Sequence, residues 1–415
     1  MGNNRHPDAN DYVIRVVTSP LQVDANQWNA LLHAQADATP FMQHAYLAAL
    51  HTSGCATPRT GWSPQFVLLE RGGDLVGACA LYLKTHSRGE YVFDFGWANA
   101  YAQHGLAYYP KAVVAVPFTP VPGARLLART AVDRALLAQG LIEWCEAQGV
   151  SGLHCLFASD DDLQACQTAG MMQRHTVQFH WQNCPAGYAD FDSFLASLAQ
   201  DKRKKIRQER RKVVDAGVTF RHALGRDIGD ADWDFFYRCY ERTYLEHGNA
   251  PYLNRAFFAD MATHMPDDWL LFTAERAGQP IATSLIAVNA ECVRAGSQEC
   301  HKPSERVAYG RYWGALERVD CLHFEACYYQ PLAWCIANGY TRFEGGAQGE
   351  HKLARALLPI KTTSAHWLAH PAFANAVNDF LTAEGHGMAQ YMDELQQHSP
   401  FKTLQTALPT GHTHE

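Results

Sequence analysis

The sequence predicts an α/β fold, an α+β arrangement of mixed sheets with helices on their faces, built as two tandem domains. Three observations carry this. The chain has 415 residues, 47% of them apolar, which is long for one domain and sufficient for two cores. A weak internal repeat runs through it. Each copy of the repeat reads as a helical stretch, a hairpin, a further strand, and then a helix, a strand, a helix and a final strand, the order of a mixed sheet covered by helices.

The repeat is legible in three matches. Residues 66–83 (FVLLERGGDLVGACALYL) and 271–288 (LFTAERAGQPIATSLIAV) both read as strand, tight turn, strand. Both carry Glu-Arg-x-Gly, at Glu70 and at Glu275, an offset of 205 residues. Trp144-Cys145-x-Ala147-x-Gly149 and Trp334-Cys335-x-Ala337-x-Gly339 follow at an offset of 190, each with a glycine suited to a helix C-cap. His180-Trp181 and His366-Trp367 come next at an offset of 186. One dipeptide match is noise, but three in the same order argue for duplication, with the changing offset absorbed by loops. The boundary is placed near residue 190, giving domains over 1–190 and 191–400, a basic helical linker over 198–216 and a flexible tail over 401–415.

Composition excludes several classes. The net charge is −7 with 19% charged residues, so nothing global points to DNA or to an anionic bilayer. The twelve cysteines form no C-x-x-C pair, and the closest pairs, Cys321/Cys327 and Cys292/Cys300, lack metal-site spacing. Buried, reduced thiols and no metal are expected. The segment MGNNRHPDANDY lacks the apolar stretch of a secretory signal, and His6 breaks the myristoylation pattern. No apolar run approaches the roughly 20 residues that span a bilayer, so no integral membrane segment and a cytoplasmic location are expected. There is no G-x-S-x-G, P-loop or H-E-x-x-H. The sequence carries no oligomerisation signal.

Four segments could carry chemistry. In KAVVAVPFTPVPGARLL (111–127) an apolar strand enters a Pro/Gly loop, with a long helix expected from about Ala124. Gly123 and Arg125 would face a diphosphate over the helix N-terminus, or the loop is a proline-stiffened turn with a surface arginine. In Lys202–Lys212 eight of eleven residues are basic, Lys205 among them. This is a phosphate cradle, or a solvated helix packed through Leu198, Ile206 and Val213. In YGRYWGALERVDCLHFEACYYQ (309–330) Arg311, Glu325 and Tyr328 are candidate substrate contacts. Glu325 interrupts a strand-like apolar run, where a carboxylate must be paired, cleft-facing or raised in pKa. The aromatics line a groove or form core. In RFEGGAQGEHKLARALLP (342–359) a strand ends at Glu344 and a helix is expected from about Gly349. It carries Glu350, His351, Lys352 and Arg355, with Gln348 just before. Glycines beside so many catalytic residue types resemble a site, against an amphipathic helix with a charged face.

With YYPKAVVAVPFTPVPGAR, KRKKIRQERRKV, YGRYWG, LHFEACYYQ and FEGGAQGEHKLARALLP, the chain resembles the peptidoglycan biosynthesis/recognition group, FemAB-like acyltransferases of the GNAT superfamily, over about residues 12–400. The resemblance implies two GNAT folds in tandem and an N-acyltransferase. The donor would be an acyl-CoA or an aminoacyl-tRNA. The acceptor would be a small-molecule or lipid-linked amine, such as a cell-wall precursor. Val121-Pro122-Gly123-Ala124-Arg125 stands where GNAT enzymes carry Q/R-x-x-G-x-G/A and departs from it. Lys352 looks like the lysine that Fem-type enzymes carry near the end of the second domain, where it would stabilise a developing oxyanion. Glu344, Glu350 and His351 are the candidates for orienting the amine or taking its proton. Two rivals stand beside this reading: a recognition module without turnover, and an acetyl-CoA-dependent N-acetyltransferase of a small amine.

Overall fold

The computed structural model describes residues 12–289, 305–347 and 349–402. Gln348, Cys292 and Cys300 lie outside the described residues, as does the tail from residue 403, including His412 and His414. Phe401, placed in the tail by the sequence, instead bridges Leu198.

In the first half, β1 (Tyr12–Val17) precedes helices α1 (Ala25–His33) and α2 (His44–Thr52). The hairpin β2 (Trp62–Arg71) and β3 (Asp74–Lys84) follows, then α3 (Phe95–Gln103), β4 (Lys111–Val114) and the short β5 (Leu127–Ala128). Helix α4 (Ala131–Gln148), β6 (Gly152–Cys155), α5 (Asp160–Thr168) and β7 (Met172–Gln182) complete the half. Next come α6 (Phe191–Ser197) and α7 (Gln200–Asp215). The second half runs through β8 (Val218–Leu224), α8 (Asp230–Glu246), α9 (Arg255–His264), β9 (Trp269–Arg276), β10 (Gln279–Val288) and β11 (Val307–Ala315). It closes with α10 (Gln330–Ala337), β12 (Arg342–Ala347), β13 (Leu358–Leu368) and the long α11 (Pro371–Gln397).

The repeated elements fold alike. Both hairpin turns put two consecutive residues at positive φ, Gly72 and Gly73 at 59° and 90°, Ala277 and Gly278 at 51° and 73°, the geometry that matches strand twist in a two-residue turn. Gly149 caps α4 at φ 65°, and Gly339 sits at φ 69° after α10.

The halves share one sheet of order β1-β2-β3-β4-β6-β13-β7-β12-β11-β10-β9-β8. Strand β13 of the second half lies between β6 and β7 of the first, and β7 lies between β13 and β12, so each half lends a strand to the other. A single large apolar cluster also crosses the halves, with Phe41 against Tyr309 at 5.3 Å and Tyr46 against Phe257 at 5.3 Å. Two parallel pairs, β4/β6 and β11/β12, interrupt an otherwise antiparallel sheet. Strand β11 pairs with β12 only from Val307↔Arg342 to Tyr309↔Glu344; beyond that it continues to Ala315 paired with β10 alone, so the sheet opens on its β12 side. Such an opening beyond the carboxyl end of a strand is where open α/β sheets take ligands.

Three local expectations fail. The helix expected at Ala124 starts at Ala131, where Thr130 accepts from Asp133 N and caps it. Residues 322–329 form a helical segment with a π turn over Glu325–Tyr329 leading into α10, so Glu325 is not on a strand. The segment Glu350–Arg355 is a 3-10 turn, not an α-helix, because Ala356 at φ 64° ends it after two turns.

Candidate active site

The 342–355 segment contributes to two different environments. Glu344, the last β12 residue paired to β11, turns toward the seam between the halves. Its register partner across β7 is His180. The two line a cavity of about 490 Å³ together with Asp37, Gly123 and Arg342. That volume suits a small ligand. Gly123 is required there by close approach, since a Cβ would lie 2.7 Å from Thr39 Cγ2 and 2.8 Å from Asp37 O.

Glu344 and His180 are both only 4% exposed. Burial pushes the Glu344 carboxyl up to about 7; Arg342, 3.2 Å away, pulls it down and Asp37 adds to the rise. Burial, Arg342 and Lys352 together push the His180 imidazole down to about 3. Glu344 Oε2 stands 3.9 Å from His180 Nε2, but the neutral ring makes this a polar contact and not an ion pair. Glu344 Oε2 has no hydrogen-bond partner, while His180 Nε2 is 3.2 Å from Gln178 Oε1. The result is a buried carboxyl raised by burial to about 7, one oxygen held by Arg342 and the other without a hydrogen-bond partner beside the cavity, a profile that fits a general base.

Lys352 lies on the far side of the β12 turn and is 3% exposed. Its Nζ donates to Gly346 O at 3.0 Å, and burial lowers its ammonium to about 8. His351 Nε2 is 3.1 Å from Tyr328 Oη, and burial, Arg355 and Lys352 lower its pKa. Gly349, at φ 111°, leaves room for the His351 ring, which a Cβ would meet at 2.6 Å.

Other predicted residues are placed elsewhere. Arg125 does not face a ligand. It is 1% exposed, with Nε donating to Leu156 O at 3.0 Å and Nη1 to Gly123 O and Ala124 O at 3.3 Å, so it plugs a turn whose carbonyls would otherwise be unpaired. Arg355 is likewise internal, bidentate to Glu209 at 2.9 and 3.0 Å and stacked 3.4 Å over Phe324. Glu325 is held by Arg210 at 3.0–3.1 Å and by Gln330 at 2.8 Å. Glu350 is exposed and accepts from Tyr391 Oη at 2.6 Å. Thus two residues of α7, Glu209 and Arg210, pin that helix to the 325–355 lobe. Leu198, Ile206 and Val213 are buried, and Lys204, Lys205, Arg207, Arg211 and Lys212 are exposed.

Arg311 lines a second cleft of about 720 Å³ between the halves, among Trp62, Tyr91, Phe118, Tyr244 and Tyr252. Its Nη2 donates to Phe118 O at 2.9 Å. Tyr91 and Phe118 face this cleft at φ 61° and 59°, strained values for bulky residues.

Sequence reasoning missed His180, Asp37 and Arg342 as site residues, and a buried polar network in the first half. There Lys111 Nζ donates to Glu90 at 2.7 Å, to Ser87 at 2.9 Å and to Asp94. Tyr108 donates to Asp94 at 2.6 Å and approaches His154 Nε2 at 3.3 Å, and His154 Nδ1 meets His366 Nδ1 at 2.8 Å. The repeated His-Trp pairs were the available signal: His180 and His366 both lie on the exchanged strands. Among the described residues no group of His, Cys, Asp and Glu is placed to hold a metal, the ten described cysteines are free, and no helix is long and apolar enough to cross a membrane.

Two units of like element order, joined through exchanged strands, define a tandem GNAT fold. The chain belongs to the FemAB-like family, described as peptidoglycan biosynthesis/recognition, whose model matches residues 19–403. No curated protein matches the sequence. Among solved structures it is similar to the C-terminal domain (DUF2156) assigned to a lysylphosphatidylglycerol synthetase of Agrobacterium fabrum, at 10% identity, TM-score 0.52, covering 88% of this chain and 97% of that one. It is also similar to FemX, at 9% identity, TM-score 0.50, covering 88% and 100%. These likenesses concern the fold.

Proposed function

We propose that this protein is an N-acyltransferase that moves an acyl or aminoacyl group from an activated donor, an acyl-CoA or an aminoacyl-tRNA, to an amine at the Glu344 cavity. The observation that carries it is the buried Glu344 carboxyl, raised by burial to about 7 and with Oε2 lacking a hydrogen-bond partner, in the cavity where β12 meets β7. Glu344 takes the proton of the attacking amine as the C–N bond forms. The nitrogen lone pair adds to the acyl carbon and the carbonyl oxygen becomes an oxyanion; as the carbonyl reforms, the C–S or C–O bond to the donor breaks and Glu344 hands the amine's proton to the departing thiolate or ribose oxygen. Lys352, charged below about pH 8, does not line the cavity but acts on its His180 from across the β12 turn, and from there supplies the positive field for that oxyanion. The family description and the fold shared with FemX support a cell-wall precursor amine as acceptor, reached from the cytoplasmic side. The exposed basic face of α7 supports a phosphate-bearing donor.

Recognition without turnover is the second reading, and the burial of Lys352 against Gly346 O favours it. Calorimetry with coenzyme A, acetyl-CoA and an aminoacyl-tRNA on the wild type and Lys352→Ala separates the two. Binding of one donor, with transfer lost in the variant, is the expected result. Failure of every donor to bind ends the transferase reading.

A further inference from the structure

A third cavity, of about 460 Å³, opens under α11. One wall is that helix, whose Leu381, Gly385, Met388 and Met392 form an apolar stripe at the spacing of a single helical face, flanked by Asn378, Thr382 and His386. The opposite wall is Gln173, His175 and Lys361 of the exchanged strands β7 and β13. These same three residues also line the Glu344 cavity, so the two spaces abut there.

Gly385 is informative. A glycine inside a helix costs about 1 kcal/mol relative to alanine. Gly385 has no positive φ, and nothing lies within 4 Å of the position its Cβ would take. Neither backbone strain nor a tight neighbour calls for it, yet it faces the cavity. Its effect there is to leave the groove open. Met388 and Met392 are partly exposed and supply adaptable thioether surface. An apolar stripe of this kind, leading from a reactive carboxyl, matches a flexible hydrocarbon. The polar wall suits the carbonyl end, with Lys361 exposed and His175 Nδ1 2.9 Å from Thr363 Oγ1.

We propose that this groove holds the linear apolar chain of the acyl donor, with its carbonyl end turned past His175 and Lys361 into the Glu344 cavity. The inference rests on the transferase reading for the direction of the chain, but chain binding can be measured without turnover. The probe is dodecanoate, titrated calorimetrically into the full chain and compared with butyrate. Dodecanoate binds the wild type, butyrate binds at least about tenfold more weakly, and Gly385→Leu loses dodecanoate affinity by about tenfold or more. Gly387→Leu is the matched control. Gly387 lies on the same helix, is exposed, has open space at its Cβ and does not line the groove, so its variant gains the same helix propensity and keeps dodecanoate affinity. Decanoyl-CoA displaces dodecanoate and acetyl-CoA does not, which distinguishes a donor chain from a lipid tail of the acceptor. No dodecanoate binding by the wild type, equal affinities for the two glycine variants, or no displacement by decanoyl-CoA would each overturn the proposal. Glu344→Gln keeps dodecanoate binding, so retained transfer in that variant would sink the catalytic reading while leaving the groove result standing.

Discussion

Glu344 of β12 and His180 of β7 are register partners from the two halves of the chain, with Oε2 and Nε2 3.9 Å apart at the floor of one cavity. The site therefore exists only because β7 is built into the second half's side of the sheet. Neither half alone would assemble it.

The pH dependence of transfer follows from two groups. Glu344 must be ionised to accept a proton, and it titrates near 7. Lys352 must be charged, and it titrates near 8. The rate of transfer over pH 5–10 is expected to be a narrow bell with flanks near these values. Glu344→Gln abolishes the acidic flank, and Lys352→Arg, whose guanidinium stays charged, abolishes the basic one.

Glu344 also makes a stability prediction of definite sign. Its folded pKa, about 7, is raised above the ordinary value of 4.5, so the folded state holds the proton more tightly and stability falls as pH rises from 4.5 through 7. Glu344→Gln should therefore melt higher than the wild type at pH 8, with the gap closing below pH 4.5. Thermal melts at the two pH values measure it.

The His154–His366 contact gives the opposite trend. Burial lowers both imidazoles, His154 to about 3, so both are neutral when folded. Their contribution is present above the ordinary value of 6.5 and is lost as pH falls toward 3. Between pH 7.5 and 4.5 the drop in melting temperature should be smaller in His366→Gln than in the wild type.

Arg125 and Lys205 separate structure from binding. Removing the buried Arg125 leaves several turn carbonyls unpaired, so Arg125→Ala should lower stability by about 2–4 kcal/mol in denaturant titrations. Lys205 is exposed, so Lys205→Glu should change stability by less than about 0.5 kcal/mol while weakening a polyanionic donor in a salt-dependent way.

Much of the fold was legible because its signals are local. The two Glu-Arg-x-Gly turns and the two glycine caps demand particular backbone angles, and the structure uses all four. The strand exchange was not legible, because nothing in the residue pattern of β7 or β13 names the neighbour each one pairs with. For the same reason His180 read only as half of a repeated dipeptide. Glu325 was read as a ligand contact because a charge in an apolar run must be satisfied, Arg125 because its loop was expected to enter a helix N-terminus, and Arg355 because it stands among glycines and catalytic residue types. The sequence does not say whether a ligand or a residue such as Glu209, distant in the chain, satisfies such a charge. Glu344 and Lys352 lie on opposite sides of the β12 turn, and the cavity that Glu344 shares with His180 needed the β12/β7 register, which no local signal carries.

The most direct test is single-turnover transfer of a labelled acyl group to an amine, with donor binding measured in parallel, for the wild type and Glu344→Gln at pH 7.5. Transfer should fall by about 10² to 10⁴ with donor affinity unchanged. Equal transfer rates in the two proteins would contradict the assignment of Glu344 as the base.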